Sequence, residues 1–186
     1  MEKVTLKEFV KMNPLDLIGK IIVFPTDTVY GVACLYGDNL GKEKIYEMKK
    51  RDYGKPLPVL CSSLKQVEEI AHIENNKYVH FWPGALTIVV RTKPYKSVTS
   101  ETVAIRIPNS KIAINLIEHF GPLYTTSVNY SGEKEINSVC EIEERFSQFV
   151  DYIVTDEAIF SSVPSTVIDC TKETVKVLRQ GSVKID

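Results

Sequence analysis

The sequence predicts an α/β protein built as a single domain around a mixed β-sheet. Its 186 residues, 44% hydrophobic and 25% charged, suit one globular domain over residues 1–186. Short β-rich runs alternate with stretches of helical period, as in α/β proteins. Several short strands crowd the end of the chain, which interrupts a regular doubly wound pattern and favours a mixed sheet.

The first half of the chain predicts helices around a few short strands. Thr5 followed by LKEFVKM is typical of a capped amphipathic helix, which Asn13 and Pro14 end. The runs IIVF and VYGVACLYG predict two strands on either side of the polar loop PTDT, and LPVL predicts a third. Helices are predicted over residues 41–50, 62–71 and 76–81.

The second half predicts strands separated by two helices. Ser110 is typical of a cap before the helix KIAINLIEHF, which ends at Gly121 and Pro122, and CEIEERFSQF predicts the other helix. Strands are predicted at LTIVV, VAIRI, LYTTSV and YIVT. The last β-rich runs, TVIDC and VKVLR, are predicted to pair through Lys172 and Glu173.

The charge balance argues against a protein that coats nucleic acid or membrane through its overall charge. The chain has 23 Lys and Arg residues against 24 Asp and Glu, a formal net charge of −1 at pH 7. An anion-binding surface must therefore be local. The apolar runs are too short to span a bilayer, and the amino terminus is predicted to be helix-like rather than a targeting peptide, so no membrane partner is expected.

Cysteine and histidine spacings argue against disulfides and zinc. The four cysteines form no CxxC pair and no secretory signal precedes them, so we expect free thiols and a cytoplasmic location. His72, His80 and His119 are isolated, and no metal ligands are assigned. The sequence contains no dinucleotide fingerprint, P-loop or GxSxG elbow, and no organic cofactor is expected.

Two polar clusters lie in the first third of the chain. PTDTVYG brings Thr26 and Thr28 after a buried strand, although a turn whose hydroxyls cap backbone groups also explains them. KKRDYGK holds four cations, Lys49, Lys50, Arg51 and Lys55. One or two cations at the end of a helix complement the helix dipole, but four cations are more than this interaction requires. Lys49 and Arg51 are the candidate phosphate clamp, and Lys50 between them is expected to face solvent.

Three further clusters follow later strands. Arg106 in TVAIRIP either faces solvent or needs an anionic partner. Ser127 and Asn129 in TTSVNYSG share one face of an extended chain, although a strand end with an Asn turn fits equally. PSTVIDC and VLRQG add Ser165, Thr166 and Arg179. Hydroxyl, amide and cationic groups without an obvious general base suit a site that positions and neutralises polyanions.

Eight motifs occur in order between Ile22 and Gly181: FPTDTVYG, KKR, KPLPV, WPGALT, VAIRIP, TSVNYSG, PSTVID and LRQG. With these core motifs, over residues 22–181, the chain resembles the YrdC/TsaC family of threonylcarbamoyl-AMP synthases in its short single-domain form. The resemblance implies a twisted mixed sheet flanked by helices around a concave, positively charged cavity. It also implies synthesis of threonylcarbamoyl-AMP and pyrophosphate from L-threonine, bicarbonate and ATP, with Mg²⁺ accompanying ATP.

The resemblance also implies roles for individual residues. The catalytic group would be Lys49, Arg51, Ser127 and Asn129. The ATP contacts would be Arg51, Lys55, Thr102, Asn129 and Arg179. The threonine contacts would be Thr28, Arg106, Ser127 and Ser165. The product would serve threonylcarbamoyladenosine modification of tRNA, so downstream transfer proteins, and weak binding of tRNA itself, are the expected partners.

The chain departs from the family pattern at three positions. Asp52 stands where Pro often follows the KxR pair, Lys55 where Asn often precedes PL, and Ala85 where the usual PGP has its second Pro. The TVYG sequence nevertheless favours the synthases over the related YciO-like branch.

Two alternative functions remain open at this point. A non-catalytic module could bind tRNA or double-stranded RNA with the same cations, and its affinity would fall steeply with salt. A carbamoyl-adenylate enzyme could use another acceptor, as related domains do in hydrogenase maturation. The near-neutral charge and the hydroxyl-rich clusters favour the synthase.

Overall fold

The computed structural model describes residues 1–96 and 98–185 and contains the predicted mixed sheet. Within these residues ten strands form one sheet in the order β1, β8, β2, β3, β7, β4, β6, β5, β9, β10. The strands are β1 Glu2–Val4, β2 Ile22–Pro25, β3 Tyr30–Leu35, β4 Val59–Leu60, β5 Leu86–Arg91, β6 Thr102–Arg106, β7 Leu123–Ser127, β8 Tyr152–Val154, β9 Thr166–Asp169 and β10 Lys176–Arg179. Pairs β1/β8, β2/β8, β4/β6 and β5/β9 are parallel and the others antiparallel.

Helices form where caps and apolar periodicity coincide. They are α1 Leu6–Phe9, α2 Asn39–Lys49, α3 Leu64–Ile70, α4 Lys111–Phe120 and α5 Val139–Phe146, with 3-10 turns at Pro14–Leu17 and Lys77–Phe81. Thr5 and Glu8 form a complete capping box at α1, and Ser110 caps α4 as predicted. Helix α2 begins before the predicted boundary because the Asp38 side chain caps it.

The amino-terminal prediction is wrong for the first residues. Glu2–Val4 is a strand rather than a helix-like segment, because it pairs in parallel with Tyr152–Val154 at the edge of the sheet. Helix α1 is also shorter than predicted and ends at Phe9. The segment predicted as a helix over residues 76–81 is a 3-10 turn capped by Asn76. Tertiary pairing has overridden the local pattern in the first case.

The sheet separates two apolar layers. Along β2 the side chains alternate between them, so that Val23 joins one buried cluster and Ile22 and Phe24 join the other. Helix α2 contributes Ile45 and Met48 to the first cluster. Helix α4 contributes its apolar face to the second, through Ile112, Ala113, Leu116, Ile117 and Phe120. The polar ends of the central strands are thus held between two rigid layers.

Candidate active site

Polar groups from distant parts of the chain line one cavity. The cavity contains about 510 Å³ of empty space, part of it open to solvent. The β2–β3 loop, β3, β5, β6, β7 and the segments around β9 and β10 all contribute to its wall. The polar lining residues are Thr26, Thr28, Thr87, Arg106, Thr125, Thr126, Ser127, Ser165 and Arg179. Five residues from the predicted site, Thr28, Arg106, Ser127, Ser165 and Arg179, therefore meet here.

Arg106 is a buried cation in this wall and is 6% exposed. Its NH2 group lies 2.5 Å from Asp27 Oδ1 in an ion pair, and its NH1 donates to Thr28 Oγ1 at 3.0 Å. Its Nε donates to the carbonyl of Gly84 at 2.8 Å. Burial lowers the pKa of Arg106, and the Asp27 carboxylate opposes that shift. The sequence left open whether Arg106 faces solvent or points inward to an anionic partner. These bonds show that it points inward and that its partner is Asp27.

The two threonines of the PTDT loop are in direct contact. Thr26 Oγ1 lies 3.0 Å from Thr28 Oγ1, and both residues are almost fully buried. The Thr26 hydroxyl donates to the carbonyl of Val29 at 2.7 Å. The backbone N–H groups of Thr28 and Val29 point back to Thr26 Oγ1 at 3.2 and 3.3 Å. The loop is therefore a closed turn whose hydroxyl groups cap backbone groups, which was one of the two interpretations of the sequence. The same loop also lines the cavity.

Lys49 is buried beneath the end of β7 and is 1% exposed. Its Nζ donates to the carbonyls of Ser127 and Asn129 at 2.5 and 2.9 Å, and to Asn129 Oδ1 at 2.7 Å. Burial, together with the charge of Arg51, lowers the pKa of Lys49 to about 7, and the Glu135 carboxylate opposes that shift. An ammonium has three N–H donors, and protein oxygens take all of them here. Direct contact between Lys49 and a phosphate stays a prediction.

The side chains of Ser127 and Asn129 complete this network. Ser127 Oγ donates to Asn129 Oδ1 at 2.8 Å, and Asn129 Nδ2 donates to the carbonyl of Glu133 at 2.7 Å. Asn129 is itself buried. The spacing of two residues between Ser127 and Asn129 does bring them together, and Lys49 is the group that holds them.

The loop after α2 is held by its own carbonyl groups. Arg51 donates from Nε to the carbonyl of Lys55 at 2.9 Å and from NH2 to that of Pro56 at 3.1 Å. The Lys55 side chain is exposed, and its role at ATP stays a prediction. Lys50 is exposed above the ring of Tyr130, which confirms that it faces solvent.

Ser165 and Arg179 form another part of the cavity wall. Arg179 donates from Nε to the carbonyl of Ser165 at 3.0 Å and from NH2 to Ser165 Oγ at 3.2 Å. Ser165 Oγ also lies 2.8 Å from Thr87 Oγ1. Burial lowers the pKa of Arg179, and the positive charges of Arg106 and Arg51 lower it as well. The Arg179 guanidinium is thus within electrostatic range of both Arg106 and Arg51, and the Glu135 carboxylate opposes their effect on its pKa.

Gly181 makes a close approach that keeps Ser165 in place. A Cβ at this position would lie 2.5 Å from the Thr166 nitrogen and 2.7 Å from the Ser165 carbonyl carbon, and closer still to the carbonyl oxygen of Pro164. These are backbone atoms, which cannot swing aside as a side chain can. The Gly181 N–H also donates to Thr166 Oγ1 at 2.9 Å.

We expect Gly181→Ala to destabilise the protein by about 1–3 kcal/mol because the added methyl group overlaps backbone atoms. The substitution should also displace Ser165 and thereby raise the KM of the substrate that binds against Ser165 in the cavity. Urea unfolding and steady-state kinetics measure both effects. Gly54→Ala is the matched control, since its Cβ would meet only the flexible Asp52 side chain at 3.3 Å. Equal stability of the two variants would contradict this account of Gly181.

Thr102 is not brought together with the other predicted site residues. It lies at the opposite end of β6 from Arg106, is exposed, and lines a separate surface pocket with Arg91 and Lys172. Its assignment to ATP stays a prediction. Conversely, Asp27, Thr87 and the Gly84 carbonyl contact site residues but were not predicted from the sequence. Asp27 lies inside a quoted motif, but its pairing with Arg106, 79 residues away, depends on the tertiary fold.

Within residues 1–96 and 98–185, no group of three or more His, Cys, Asp or Glu side chains converges as a metal-binding site. No helix among the same residues is long and apolar enough to cross a membrane.

The fold and the cavity define a class of protein: an α/β domain whose mixed sheet carries a hydroxyl-lined, arginine-containing cavity. The chain belongs to the Sua5/YciO/YrdC family. The model of that family, described as "Telomere recombination", matches residues 17–181.

Curated relatives and solved structures agree with this assignment. A putative threonylcarbamoyl-AMP synthase of Methanocaldococcus jannaschii is 32% identical over 189 residues, which cover 99% of this chain and 89% of the relative. The threonylcarbamoyl-AMP synthase of Pyrococcus abyssi is 33% identical over 90% of this chain. This chain spans about half of that relative, since the match covers 52% of its length.

Two solved structures show the similarity in three dimensions. The crystal structure of P. abyssi Sua5 complexed with L-threonine matches with a TM-score of 0.83 and 30% identity, over 97% of this chain and 56% of that one. Escherichia coli YciO matches with a TM-score of 0.84 over 98% of this chain and 95% of that one. At 23% identity, the YciO match supports the fold alone.

Proposed function

We propose that this chain is an L-threonylcarbamoyladenylate synthase, a nucleotidyltransferase that converts L-threonine, bicarbonate and ATP into threonylcarbamoyl-AMP and pyrophosphate. The observation that carries the proposal is the convergence of Thr28, Arg106, Ser127, Ser165 and Arg179 on one cavity in a chain of this family. Relatives that match most of this chain are named threonylcarbamoyl-AMP synthases, and one solved relative binds L-threonine.

The amino acid would bind against Arg106. The contacts to Asp27, Thr28 and Gly84 use three of its five N–H donors, which leaves donors for a ligand carboxylate. A planar guanidinium matches a carboxylate in shape and charge, and burial strengthens the contact. Thr28, Ser127 and Ser165 supply hydroxyl groups around the same space. Orientation by this set would hold the substrate in line for reaction.

The reaction needs negative charge to be neutralised. The amine of threonine takes up bicarbonate with loss of water, or carbon dioxide with loss of a proton, to give a carbamate, and a carbamate oxygen attacks the α-phosphorus of ATP while pyrophosphate leaves. Arg51 and Arg179 would offset repulsion between the carbamate and the phosphates, with Lys55 and Asn129 as further ATP contacts. Lys49 would add buried positive charge and hold Ser127 and Asn129. Mg²⁺ is expected to arrive with ATP as part of the substrate.

The cellular setting follows from the product. An adenylate of threonylcarbamate is an activated acyl donor, so a tRNA threonylcarbamoyl-transfer protein would consume it to form threonylcarbamoyladenosine. We propose this partner, direct but weak tRNA binding, and a cytoplasmic location, where ATP and threonine are present.

The test is pyrophosphate release measured with a coupled phosphate assay. We expect release only when ATP, L-threonine and bicarbonate are all present, because the carbamate is the nucleophile. The controls omit threonine, or use degassed buffer without bicarbonate. Equal consumption of ATP without threonine would refute the proposal. Binding of tRNA with steep salt dependence, and no pyrophosphate, would favour the RNA-binding module instead.

A further inference from the structure

The direction of the hydrogen bond between Thr26 and Thr28 is fixed by their neighbours. A hydroxyl has one hydrogen, and a carbonyl can only accept. Thr26 gives its hydrogen to the carbonyl of Val29 at 2.7 Å. In the 3.0 Å contact between the two hydroxyl oxygens, the donor must therefore be Thr28, which takes one lone pair of Thr26 Oγ1, while the longer contacts from the backbone N–H groups of Thr28 and Val29, at 3.2 and 3.3 Å, share the other.

Thr28 consequently faces the cavity as an acceptor. Its hydrogen points to Thr26, and one of its two lone pairs receives the Arg106 NH1 donor at 3.0 Å. The second lone pair remains for a ligand. Thr26 and Thr28, 4% and 2% exposed, are shielded from water, so solvent competes little for their hydroxyl groups.

Ser127 has the same polarity for an independent reason. It donates its hydrogen to Asn129 Oδ1 at 2.8 Å. The Lys49 ammonium donates to the same Oδ1 at 2.7 Å, which confirms that this atom is the amide oxygen, an acceptor. Two hydroxyls that only accept thus lie in one cavity with an arginine that only donates. This pattern fits a ligand with a carboxylate at one end and N–H or O–H donors beside it.

We propose that Thr26 is a positioning residue that sets the polarity of the Thr28 hydroxyl, and thereby selects an amino acid that presents a hydrogen-bond donor to Thr28. The inference rests on the proposed function, since it assigns the carboxylate ligand as L-threonine. The donor is an N–H of the α-amine or the β-hydroxyl of threonine. Without Thr26 as acceptor, the Thr28 hydroxyl turns freely, and its hydrogen can oppose the donor of the ligand.

The experiment replaces Thr26 by a residue of equal shape without a hydroxyl. Thr26→Val should raise the KM for L-threonine at least about tenfold and change the KM for ATP less than about twofold, because only the amino-acid side depends on Thr28. Thr26→Ser restores the hydroxyl and should return the threonine KM to near the starting value. Thr155→Val is the control, since it removes a hydroxyl that donates to the Val4 carbonyl outside the cavity.

L-2-aminobutyrate, which lacks the hydroxyl, distinguishes the two donors. If Thr26→Val weakens its binding as much as that of threonine, the α-amine is the donor; if its binding is unaffected, the β-hydroxyl is. An unchanged threonine KM in Thr26→Val, equal increases for threonine and ATP, or no rescue by Thr26→Ser would overturn the inference.

Two further measurements keep the inference testable and separate it from the proposed function. If Thr26→Val does not fold, Thr26→Cys is measured instead, and its weaker sulfur acceptor should give an intermediate threonine KM; a value equal to that of the unsubstituted protein would overturn the inference. Absence of threonine-dependent pyrophosphate from the unsubstituted protein would refute the proposed function itself, before any variant is compared.

Discussion

Arg106→Ala is expected to abolish threonine-dependent turnover and to lower the free energy of unfolding by about 3–5 kcal/mol, because it leaves Asp27 without its buried counter-charge. The same substitution removes donors to Thr28 and Gly84. Arg106→Lys keeps the charge but loses the planar fork of the guanidinium. We therefore expect it to retain a larger fraction of the stability of the unsubstituted protein than of its activity. Urea unfolding and the pyrophosphate assay, run on the same preparations, measure the two effects.

Arg91→Ala is the matched control for Arg106. Arg91 lies on the neighbouring strand β5 and is exposed, so its loss should change stability by less than about 0.5 kcal/mol. If Arg106→Ala were as stable and active as Arg91→Ala, the buried ion pair would have no part in the site.

Lys49→Met is expected to have the second largest effect. Methionine fills a similar volume but leaves the carbonyls of Ser127 and Asn129 without the Lys49 donor, whereas Asn129 Oδ1 keeps the Ser127 hydroxyl as its donor. Each acceptor left unpaired costs about 1–3 kcal/mol, and partial rehydration lowers the total cost. We therefore expect Lys49→Met to lower the free energy of unfolding by about 2–5 kcal/mol. Turnover should fall at least about a hundredfold, since Ser127 and Asn129 lose their common support.

The pH dependence of stability separates Lys49 from its neighbour. The pKa of Lys49 is lowered from 10.5 to about 7 in the folded protein. Between these values the unfolded chain binds the proton and the folded protein releases it, so stability relative to Lys49→Met should rise from pH 7 to 10.5. Lys50→Met, at the adjacent exposed position, is the control and is measured over the same pH range. A difference that stays constant over this range would contradict the assignment.

Local patterns predicted most of the elements because period and capping act within a few residues. Ser110 caps α4 and Thr5 caps α1 as predicted, since these bonds close inside one turn. The strand Glu2–Val4 was missed because its partner, β8, lies about 150 residues further along the chain. The resemblance to a known family, rather than periodicity, placed Thr28, Arg106 and Ser165 in one site.

The burial of Lys49 and the partners of the buried charged residues could not be predicted from the sequence. KKR reads as a solvated helix end, yet Lys49 is buried while Lys50 is exposed, because the left-handed conformation of Lys50 ends α2 between them. The pairing of Asp27 with Arg106 depends on how the β2–β3 loop meets the end of β6. Such contacts are set by the sheet order, which no local pattern encodes.

The most direct test of the synthase proposal is identification of the product by mass spectrometry, with ATP, L-threonine and bicarbonate labelled with carbon-13. We expect a threonylcarbamoyl-AMP species that carries the label and accumulates with pyrophosphate. We expect no such species when threonine is omitted. An unlabelled adenylate, or pyrophosphate release with no carbamoylated product, would contradict the synthase proposal.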